Sequence, residues 1–383
     1  MEHLVNKNIK DIEISGIRKF FNMVSDYEDV LSLSIGQPDF HTPEHVKQAA
    51  QQAIDSNYTT YTHNAGILKL RDAISSSVSR KYNLDYDPAE EVIVTVGASQ
   101  GIDITLRTLL SPGDEVLLPG PVYPGYEPLI RLAGGVPVHI DIAGNGFKMT
   151  ADLIEQAMTD RTKCIILPYP SNPTGVTLTE QELKEIATLI AGKDLIVLAD
   201  EIYSELVYEQ EHVSIASFPE VRNQVIVVNG VSKSHAMTGW RIGYLLGPAV
   251  LMKHILKVHQ YNVSCATSIS QYAALEAIEK GADDPVAMRE EYRKRRDYVM
   301  ERMDEMGLEY IQPGGAFYIF PKLAKGELTS FELGLELVRE AGVALVPGDA
   351  FSDYGEGYMR LSYAYDMETL EKGMDRLAAF MKK

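Results

Sequence analysis

Five short apolar runs, separated by longer amphipathic stretches, constrain the fold of this chain more than any other feature of its sequence. Each run is dense in Val, Ile and Leu and ends at a polar or Gly-rich loop. The runs are Val92–Val96, Glu115–Leu118, Cys164–Leu167, Leu195–Ala199 and Val225–Val228. A single run of this length also fits a buried helix segment. Five of them in alternation with helical patterns predict parallel βα units, whose strands are buried on both faces of one sheet.

The two ends of the chain differ from this middle part. Residues 1–44 are mixed in character, and beyond about residue 275 a helical stretch precedes short strand-like runs. These later segments are Pro285–Met306, Ala316–Phe320 and Tyr358–Ser362. A chain of 383 residues also exceeds the size of one ordinary hydrophobic core. We therefore predict an α/β fold with a large domain at residues 45–275 and a smaller α+β domain built from residues 1–44 and 276–383.

Charge and cysteine content exclude several classes of protein. Acidic residues outnumber basic ones by 54 to 36, which gives a net charge of −18. Such a field repels nucleic acid and anionic membranes, so we expect neither as a partner. Cys164 and Cys265 lie far apart and no metal-type Cys/His spacing occurs, so we predict no disulfide framework and no metal site. No run has signal-peptide or membrane-span length, and we expect a cytoplasmic location.

Each of the five runs is followed by small or polar residues, at the sheet edge where ligands bind in open α/β folds. The segment Gly97–Gln100 opens a helix, and its free N–H groups predict a phosphate cradle, although a plain strand-to-helix turn also fits. Tyr123 lies on a Pro-stiffened loop, where its ring can stack on a flat heteroaromatic cofactor or cover the core. No GxxxxGK[ST] motif and no early GxGxxG motif occurs, which disfavours nucleotide and dinucleotide sites.

The remaining runs end at an amide, a carboxylate and an amine. Asn172 sits between two prolines, in a stiff turn suited to a fixed hydrogen bond or to an Asx turn. Asp200 ends a buried strand and needs a cationic partner, such as a protonated ring nitrogen, or else caps a helix. Lys233 lies just past a strand end among small residues, open to an aldehyde. Arg241 follows in an apolar stretch that we predict to be buried, where an arginine needs a phosphate or a carboxylate.

This order of residues resembles the fold-type I aminotransferases of class I and II, which depend on pyridoxal 5'-phosphate (PLP). The resemblance covers essentially the whole chain, and its most specific segments are Ser232–Gly243, Ser171–Gly175 (SNPTG) and Ala199–Tyr203 (ADEIY). It implies a large domain with a mostly parallel central sheet flanked by helices, plus a smaller α+β domain. It also implies PLP as the cofactor and ping-pong transfer of an amino group between an L-amino acid and 2-oxoglutarate.

The resemblance implies a role for individual residues as well. Lys233 is expected to hold PLP as a Schiff base and then to act as the base, while Asp200 pairs with the pyridinium nitrogen. Asn172 and Tyr203 are expected at the ring hydroxyl oxygen, and Tyr123 on the ring. The expected phosphate contacts are Ala98, Ser99, Gln100, Ser232, Arg241 and Tyr61 of the partner subunit. The expected contacts to the substrate α-carboxylate are Gly36, Asn172 and Arg360. A tyrosine that acts across subunits implies a homodimer with shared active sites.

One position departs from the family pattern. Many relatives carry a serine three residues before the cofactor lysine, where it contacts the phosphate, and here that position is Gly230. The phosphate therefore loses one hydroxyl donor. We expect Ser99, Ser232 and the backbone to carry more of its binding.

The substrate is less constrained than the chemistry. Three segments, Ile12–Phe20, Gly120–Pro128 and Lys257–Cys265, are similar to those of the N-acetyl-diaminopimelate aminotransferases of lysine biosynthesis in Bacillus-type bacteria. This resemblance implies N-acetyl-LL-2,6-diaminopimelate and glutamate as amino donors. Aspartate or an aromatic amino acid remains open as the donor, and so does β-elimination from the same Lys and Asp. A regulator that senses PLP fits less well. Such proteins carry an added DNA-binding domain, whereas the enzyme body accounts for the whole length of this chain.

Overall fold

The computed structural model describes residues 1–10, 12–24, 27, 29–323 and 325–382. The β-strands of these residues are β1 (Leu31–Ser32), β2 (Val92–Thr95), β3 (Glu115–Gly120), β4 (Val136–Asp141), β5 (Thr162–Leu167), β6 (Ile196–Asp200), β7 (Val225–Gly230), β8 (Gly243–Leu246), β9 (Tyr318–Ile319), β10 (Val343–Ala344), β11 (Val346–Pro347) and β12 (Met359–Ser362). The α-helices are α1 (Lys7–Lys10), α2 (Gly16–Val24), α3 (Glu44–Asp55), α4 (Leu68–Tyr82), α5 (Gly97–Leu109), α6 (Tyr126–Leu132), α7 (Ala151–Ala157), α8 (Glu180–Ile190), α9 (Val231–Ser234), α10 (Ala249–Val263), α11 (Ser268–Lys280), α12 (Asp284–Glu305), α13 (Ser330–Ala341) and α14 (Met367–Met381). Across these ranges, no helix combines the length and the hydropathy that crossing a lipid bilayer requires.

A central sheet organises the middle of the chain. In the described residues it has seven strands in the order β2–β8–β7–β6–β5–β3–β4. Strands β7, β6, β5, β3 and β4 run parallel to one another, whereas β8 is antiparallel to both β2 and β7. The predicted mostly parallel sheet is therefore confirmed. The five predicted strands are all present with ends shifted by one or two residues, and β4 and β8 were not predicted.

Both faces of this sheet are covered, which explains the continuous apolar runs. Successive residues of a strand point to opposite faces. In β6, Val197 and Ala199 belong to one hydrophobic cluster, and Leu198 belongs to another on the opposite face. Helix α5 packs against α10, and α11 packs against both α3 and α4. Because neither face meets water, no polar alternation is needed along the strands.

Smaller sheets join segments from both ends of the chain. Strand β1 pairs in parallel with β10, and β12 pairs antiparallel with both β11 and β9. The hydrophobic cluster around them includes Leu33 from the N-terminal part and Tyr318, Leu361 and Leu377 from the C-terminal part. The domain boundaries expected from the sequence stay a prediction.

Candidate active site

A cavity of about 440 Å³ opens at the carboxyl ends of the parallel strands. The loops after β2, β3, β5, β6 and β7 converge on it, as expected for an open α/β sheet. The predicted site residues that line it are Gly36, Ala98, Ser99, Tyr123, Asn172, Asp200, Tyr203, Ser232, Lys233, Arg241 and Arg360. Gly36 follows β1 and Arg360 lies on β12, so both ends of the chain contribute to the same cavity.

One corner of the cavity is cationic and open. Helix α5 begins there at Gly97, which has a φ of +73°, and a Cβ at this position would lie 2.3 Å from Nη2 of Arg241. Arg241 donates a hydrogen bond from Nη1 to the carbonyl oxygen of Thr238 at 2.9 Å. Helix N-terminal N–H groups and a guanidinium both favour anions. A side chain at Gly97 would fill this cradle, which fits a phosphate group.

One detail of the sequence prediction at this corner is wrong, and it concerns Arg241. Arg241 is exposed rather than buried, because its side chain leaves the apolar stretch and lies across the open corner. The side chain of Gln100 turns away from the cavity: Oε1 accepts a hydrogen bond from Val96 N at 2.7 Å, and Nε2 lies 3.2 Å from Nδ1 of His259. The expected contact of Gln100 with the phosphate involves its backbone and stays a prediction.

Crowding between two strands accounts for the glycine that departs from the family pattern. Gly230 ends β7 opposite Gly243 of β8. A Cβ on Gly230 would lie 2.8 Å from the carbonyl oxygen of Ile242 and 2.9 Å from Cα of Gly243. A serine would therefore require the β8 backbone to shift. The side-chain hydroxyls left at this end of the cavity include those of Ser99 and Ser232.

Lys233 carries the amine of the cavity. Its Nζ donates a hydrogen bond to the carbonyl oxygen of Gly36 at 2.6 Å. The pKa of Lys233 is lowered to about 8, and burial is the largest cause. The positive charges of Arg360 and Arg241 also lower this pKa, and together they outweigh the negative charge of Asp200, which raises it. A poorly solvated site disfavours an added positive charge. At pH 7 about a tenth of this amine is therefore neutral and nucleophilic, far more than at the ordinary lysine pKa of 10.5.

Asp200 is the buried carboxylate of the cavity. One oxygen, Oδ1, accepts a hydrogen bond from Ile202 N at 3.2 Å, and Oδ2 accepts one from the hydroxyl of Tyr126 at 2.7 Å. Burial raises the pKa of Asp200 to about 6, although the hydrogen bond from Tyr126 opposes this change. A cation against this carboxylate would relieve the cost of its buried charge.

Arg360 offers an anion site on the opposite side. Its Nη1 donates to Oδ1 of Asn172 at 2.8 Å, and its Nη2 donates to the carbonyl oxygen of Ser34 at 2.6 Å. The guanidinium lies 4.4 Å from the ring centroid of Tyr318. The Nε of this buried side chain lacks a hydrogen-bond partner in the described part of the chain. A buried guanidinium with an unpaired N–H fits a carboxylate.

Several lining residues were not predicted from the sequence. Tyr318 is fully buried and its hydroxyl lies 2.9 Å from that of Tyr203. Tyr126 is equally buried beside Asp200, and Ile17 and Phe21 of α2 add an apolar wall. Their signal was weak because aromatic and apolar residues usually serve the core. Only contacts between distant parts of the chain reveal their position.

Tyr61 is the other predicted residue that does not line the cavity. Its side chain is 88% exposed on this single chain. Its predicted contribution to the active site of a neighbouring copy stays a prediction.

The chain belongs to the aminotransferases of class I and II, because residues 28–377 match the model of that family. It is therefore a PLP-dependent aminotransferase that acts on amino acids and oxo acids, and its fold is fold type I. The donor set fits PLP: a cationic corner for the phosphate, a buried carboxylate for the ring nitrogen and a partly neutral lysine for the aldehyde lie on one cavity.

Individual relatives narrow the comparison. The chain is 60% identical, over 383 residues, to a probable N-acetyl-LL-diaminopimelate aminotransferase of Bacillus subtilis, covering 100% of this chain and 97% of that protein. The crystal structure of an aromatic aminotransferase from Pyrococcus horikoshii matches with a TM-score of 0.90 and 40% identity over 96% of this chain and 98% of that chain. A double mutant of Thermus thermophilus aspartate aminotransferase matches with a TM-score of 0.94 and 36% identity, covering 98% and 99% of the two chains.

Proposed function

We propose that this aminotransferase transfers an amino group between N-acetyl-LL-2,6-diaminopimelate and 2-oxoglutarate, a step of lysine biosynthesis. The observation that carries the proposal is the 60% identity to the Bacillus subtilis relative over the full length of this chain. Relatives named for aspartate or aromatic substrates are more distant, with 42% identity to the aspartate aminotransferase of Pyrococcus abyssi and 40% to an aromatic aminotransferase of Thermococcus litoralis.

The proposed cofactor contacts follow from the cavity. PLP, when bound, supplies an electron sink for the bond that breaks at the substrate Cα. We assign its phosphate to the corner formed by the N-terminus of α5, Ser99, Ser232 and Arg241. We assign its ring nitrogen to Asp200 and its aldehyde carbon to Lys233. An anionic Asp200 keeps the ring nitrogen protonated, because an opposite charge nearby favours the charged form.

Lys233 and Arg360 carry the proposed proton transfer. With the amino substrate bound and Nζ free, Lys233 would take the proton from the substrate Cα as a general base. A pKa of about 8 suits this work near neutral pH. Arg360 lines the cavity and would bind the substrate α-carboxylate with its guanidinium, and so fix which Cα bond faces Lys233. Asn172 holds Arg360 in place through the bond of 2.8 Å.

The expected homodimer and cytoplasmic location belong to the same proposal. Tyr61 of the partner subunit would complete the phosphate site, which requires two copies with shared active sites. The high exposure of Tyr61 on a single chain supports this, since an aromatic side chain that is 88% exposed gains from burial at an interface.

The proposed substrate is tested by the visible absorbance of purified PLP-loaded enzyme. Candidate amino donors are added one at a time, without an oxo acid acceptor, so that only the first half-reaction takes place. N-acetyl-LL-2,6-diaminopimelate and glutamate should each convert the cofactor to its amine form. Lys233→Ala, the control, should bind PLP without the lysine-linked absorbance band. Conversion by aspartate or aromatic donors alone would contradict the substrate proposal and leave the aminotransferase class intact.

A further inference from the structure

We propose that Tyr126 is a positioning residue of the active site, whose hydroxyl holds Asp200 in the orientation and the charged state that the ring nitrogen of PLP requires. This inference rests on the role proposed above for Asp200. It does not depend on which amino donor the enzyme uses.

Each carboxylate oxygen of Asp200 accepts a hydrogen bond from a different donor. Oδ1 accepts one from Ile202 N at 3.2 Å, and Oδ2 accepts one from the Tyr126 hydroxyl at 2.7 Å. Tyr126 is the one side chain that donates a hydrogen bond to this carboxylate in the described ranges. With both oxygens held, the carboxylate plane is fixed relative to β6. Its remaining lone pairs are left for a partner in the cavity.

Tyr126 has little other reason to carry a hydroxyl. Its ring is 2% exposed and packs in an apolar cluster that includes Ile102, Ile166 and Leu198. A phenylalanine would satisfy that packing equally well. The hydroxyl bonds to Asp200 alone among the hydrogen bonds of the described residues. A hydrogen bond to a buried carboxylate favours the charged form, and its loss leaves part of the charge uncompensated.

The same tyrosine also supports the ring that is expected to stack on the cofactor. Tyr126 meets Tyr123 edge to face, with ring centroids 5.4 Å apart and an interplanar angle of 87°. Gly125 makes this possible, since a Cβ there would lie 2.3 Å from Cε1 of Tyr123. The loop after β3 therefore connects the residue facing the cavity with the residue beneath Asp200. Substitution of Tyr126 by phenylalanine keeps the edge-to-face packing and removes only the hydrogen bond.

The variant Tyr126→Phe tests the inference in the PLP-loaded enzyme. We expect the pH midpoint of the visible absorbance change at Lys233 to move upward. Without the hydrogen bond from Tyr126, Asp200 would hold less negative charge, and the ring nitrogen would hold less positive charge. The pKa of the nitrogen that links Lys233 to the cofactor would then be higher, because a nearby positive charge lowers it. We also expect kcat to fall roughly ten- to a hundredfold with little change in KM. This factor corresponds to the free energy of one lost hydrogen bond to a charged group. Glutamate is a sufficient donor for this measurement.

The control is Tyr292→Phe. Tyr292 is fully buried and donates to Oδ1 of Asp39 at 3.1 Å, which is the same type of bond outside the lining of the cavity. A merely structural role for Tyr126 would lower the melting temperature of both variants and leave the pH midpoint unchanged. That result would overturn the inference.

A double-mutant cycle separates this inference from the proposed function. In an Asp200→Asn background, Tyr126→Phe should shift the midpoint no further, because the charge it supports is gone. If Asp200→Asn alone leaves the midpoint at the wild-type value, the role proposed for Asp200 fails. If Asp200→Asn shifts the midpoint and Tyr126→Phe does not, only the inference about Tyr126 fails.

Discussion

Lys233 and Asp200 lie in one cavity, yet burial moves their pKa values in opposite directions. Low solvation disfavours the charged form of each group, so the pKa of the amine falls to about 8 and that of the carboxyl rises to about 6. In the proposed binding mode, PLP would relieve both costs. A covalent bond to Lys233 would remove its ammonium group, and a protonated ring nitrogen would supply a countercharge to Asp200. We therefore expect cofactor binding to stabilise both buried groups.

At the residue scale, the rate at which PLP attaches to the cofactor-free enzyme should report the pKa of Lys233. Only the neutral amine attacks the aldehyde, so the rate should rise with pH with a midpoint near 8 instead of the ordinary 10.5. Rapid-mixing absorbance over a range of pH measures this midpoint. Arg360→Gln should move it upward, because a positive charge that lowers the pKa is removed. A wild-type midpoint near the ordinary lysine value would contradict the prediction.

The linked effect on stability has a definite sign. The pKa of Lys233 is lower in the folded chain, so between about pH 8 and pH 10.5 the unfolded chain binds the extra proton. The contribution of Lys233 to the free energy of unfolding of the cofactor-free enzyme should therefore rise with pH across this window. The variant Lys233→Ala should lack this contribution.

At the scale of elements, the sequence predicts those strands whose pattern is local. Strands β2, β3, β5, β6 and β7 are predictable because burial on both faces makes each a continuous apolar run. Strand β4 lies at the sheet edge with partly exposed residues. Strand β8 begins with Gly243 and Tyr244 and has only two aliphatic residues, so neither strand has that pattern. The site follows the same division. Asp200 ends β6 and Lys233 lies three residues after β7, so the strand pattern makes both predictable. Tyr126 and Tyr318 reach the cavity through contacts that no local pattern encodes.

The turn from β2 into α5 carries a prediction at this scale. Gly97→Ala should weaken PLP binding about tenfold or more, because the added Cβ would displace Arg241 and remove a charge-assisted contact to the phosphate. Fluorescence titration of the cofactor-free variant with PLP measures the affinity. Gly113→Ala is the control, since Gly113 also has a positive φ, of +93°, and its Cβ would have nothing within 4 Å. Equal loss of affinity in both variants would assign the effect to backbone strain.

At the scale of the whole molecule, the cavity is assembled from distant parts of the chain. Gly36 and Arg360 line it together with the loops of the central sheet, and the bond from Arg360 to Ser34 joins the two ends directly. The predicted Tyr61 of the partner subunit would extend this assembly to a second chain. Predicting such contacts requires the tertiary fold, since the residues involved share no local pattern.

Mixed dimers test the shared site. Tyr61→Ala and Lys233→Ala should each impair the enzyme alone. When the two proteins are unfolded together and refolded, one site of each hybrid dimer receives an intact Lys233 and an intact Tyr61 of the partner subunit. Activity above the sum of the two separate variants is the expected result, measured with glutamate and an oxo acid acceptor. No gain in the hybrid would mean that Tyr61 does not act across subunits.

The pairing of β1 with β10 has a consequence for how the protein is made. The N-terminal strand leaves the ribosome long before its partner has been translated, and Arg360 follows later still. The strands of the central sheet end at Leu246, and Lys233 precedes that residue, whereas β10 and Arg360, the proposed ligand of the substrate carboxylate, come later in the chain. Prematurely terminated products would therefore carry a reactive lysine without the means to orient an amino acid. We therefore expect catalytic competence only after Arg360 has been translated.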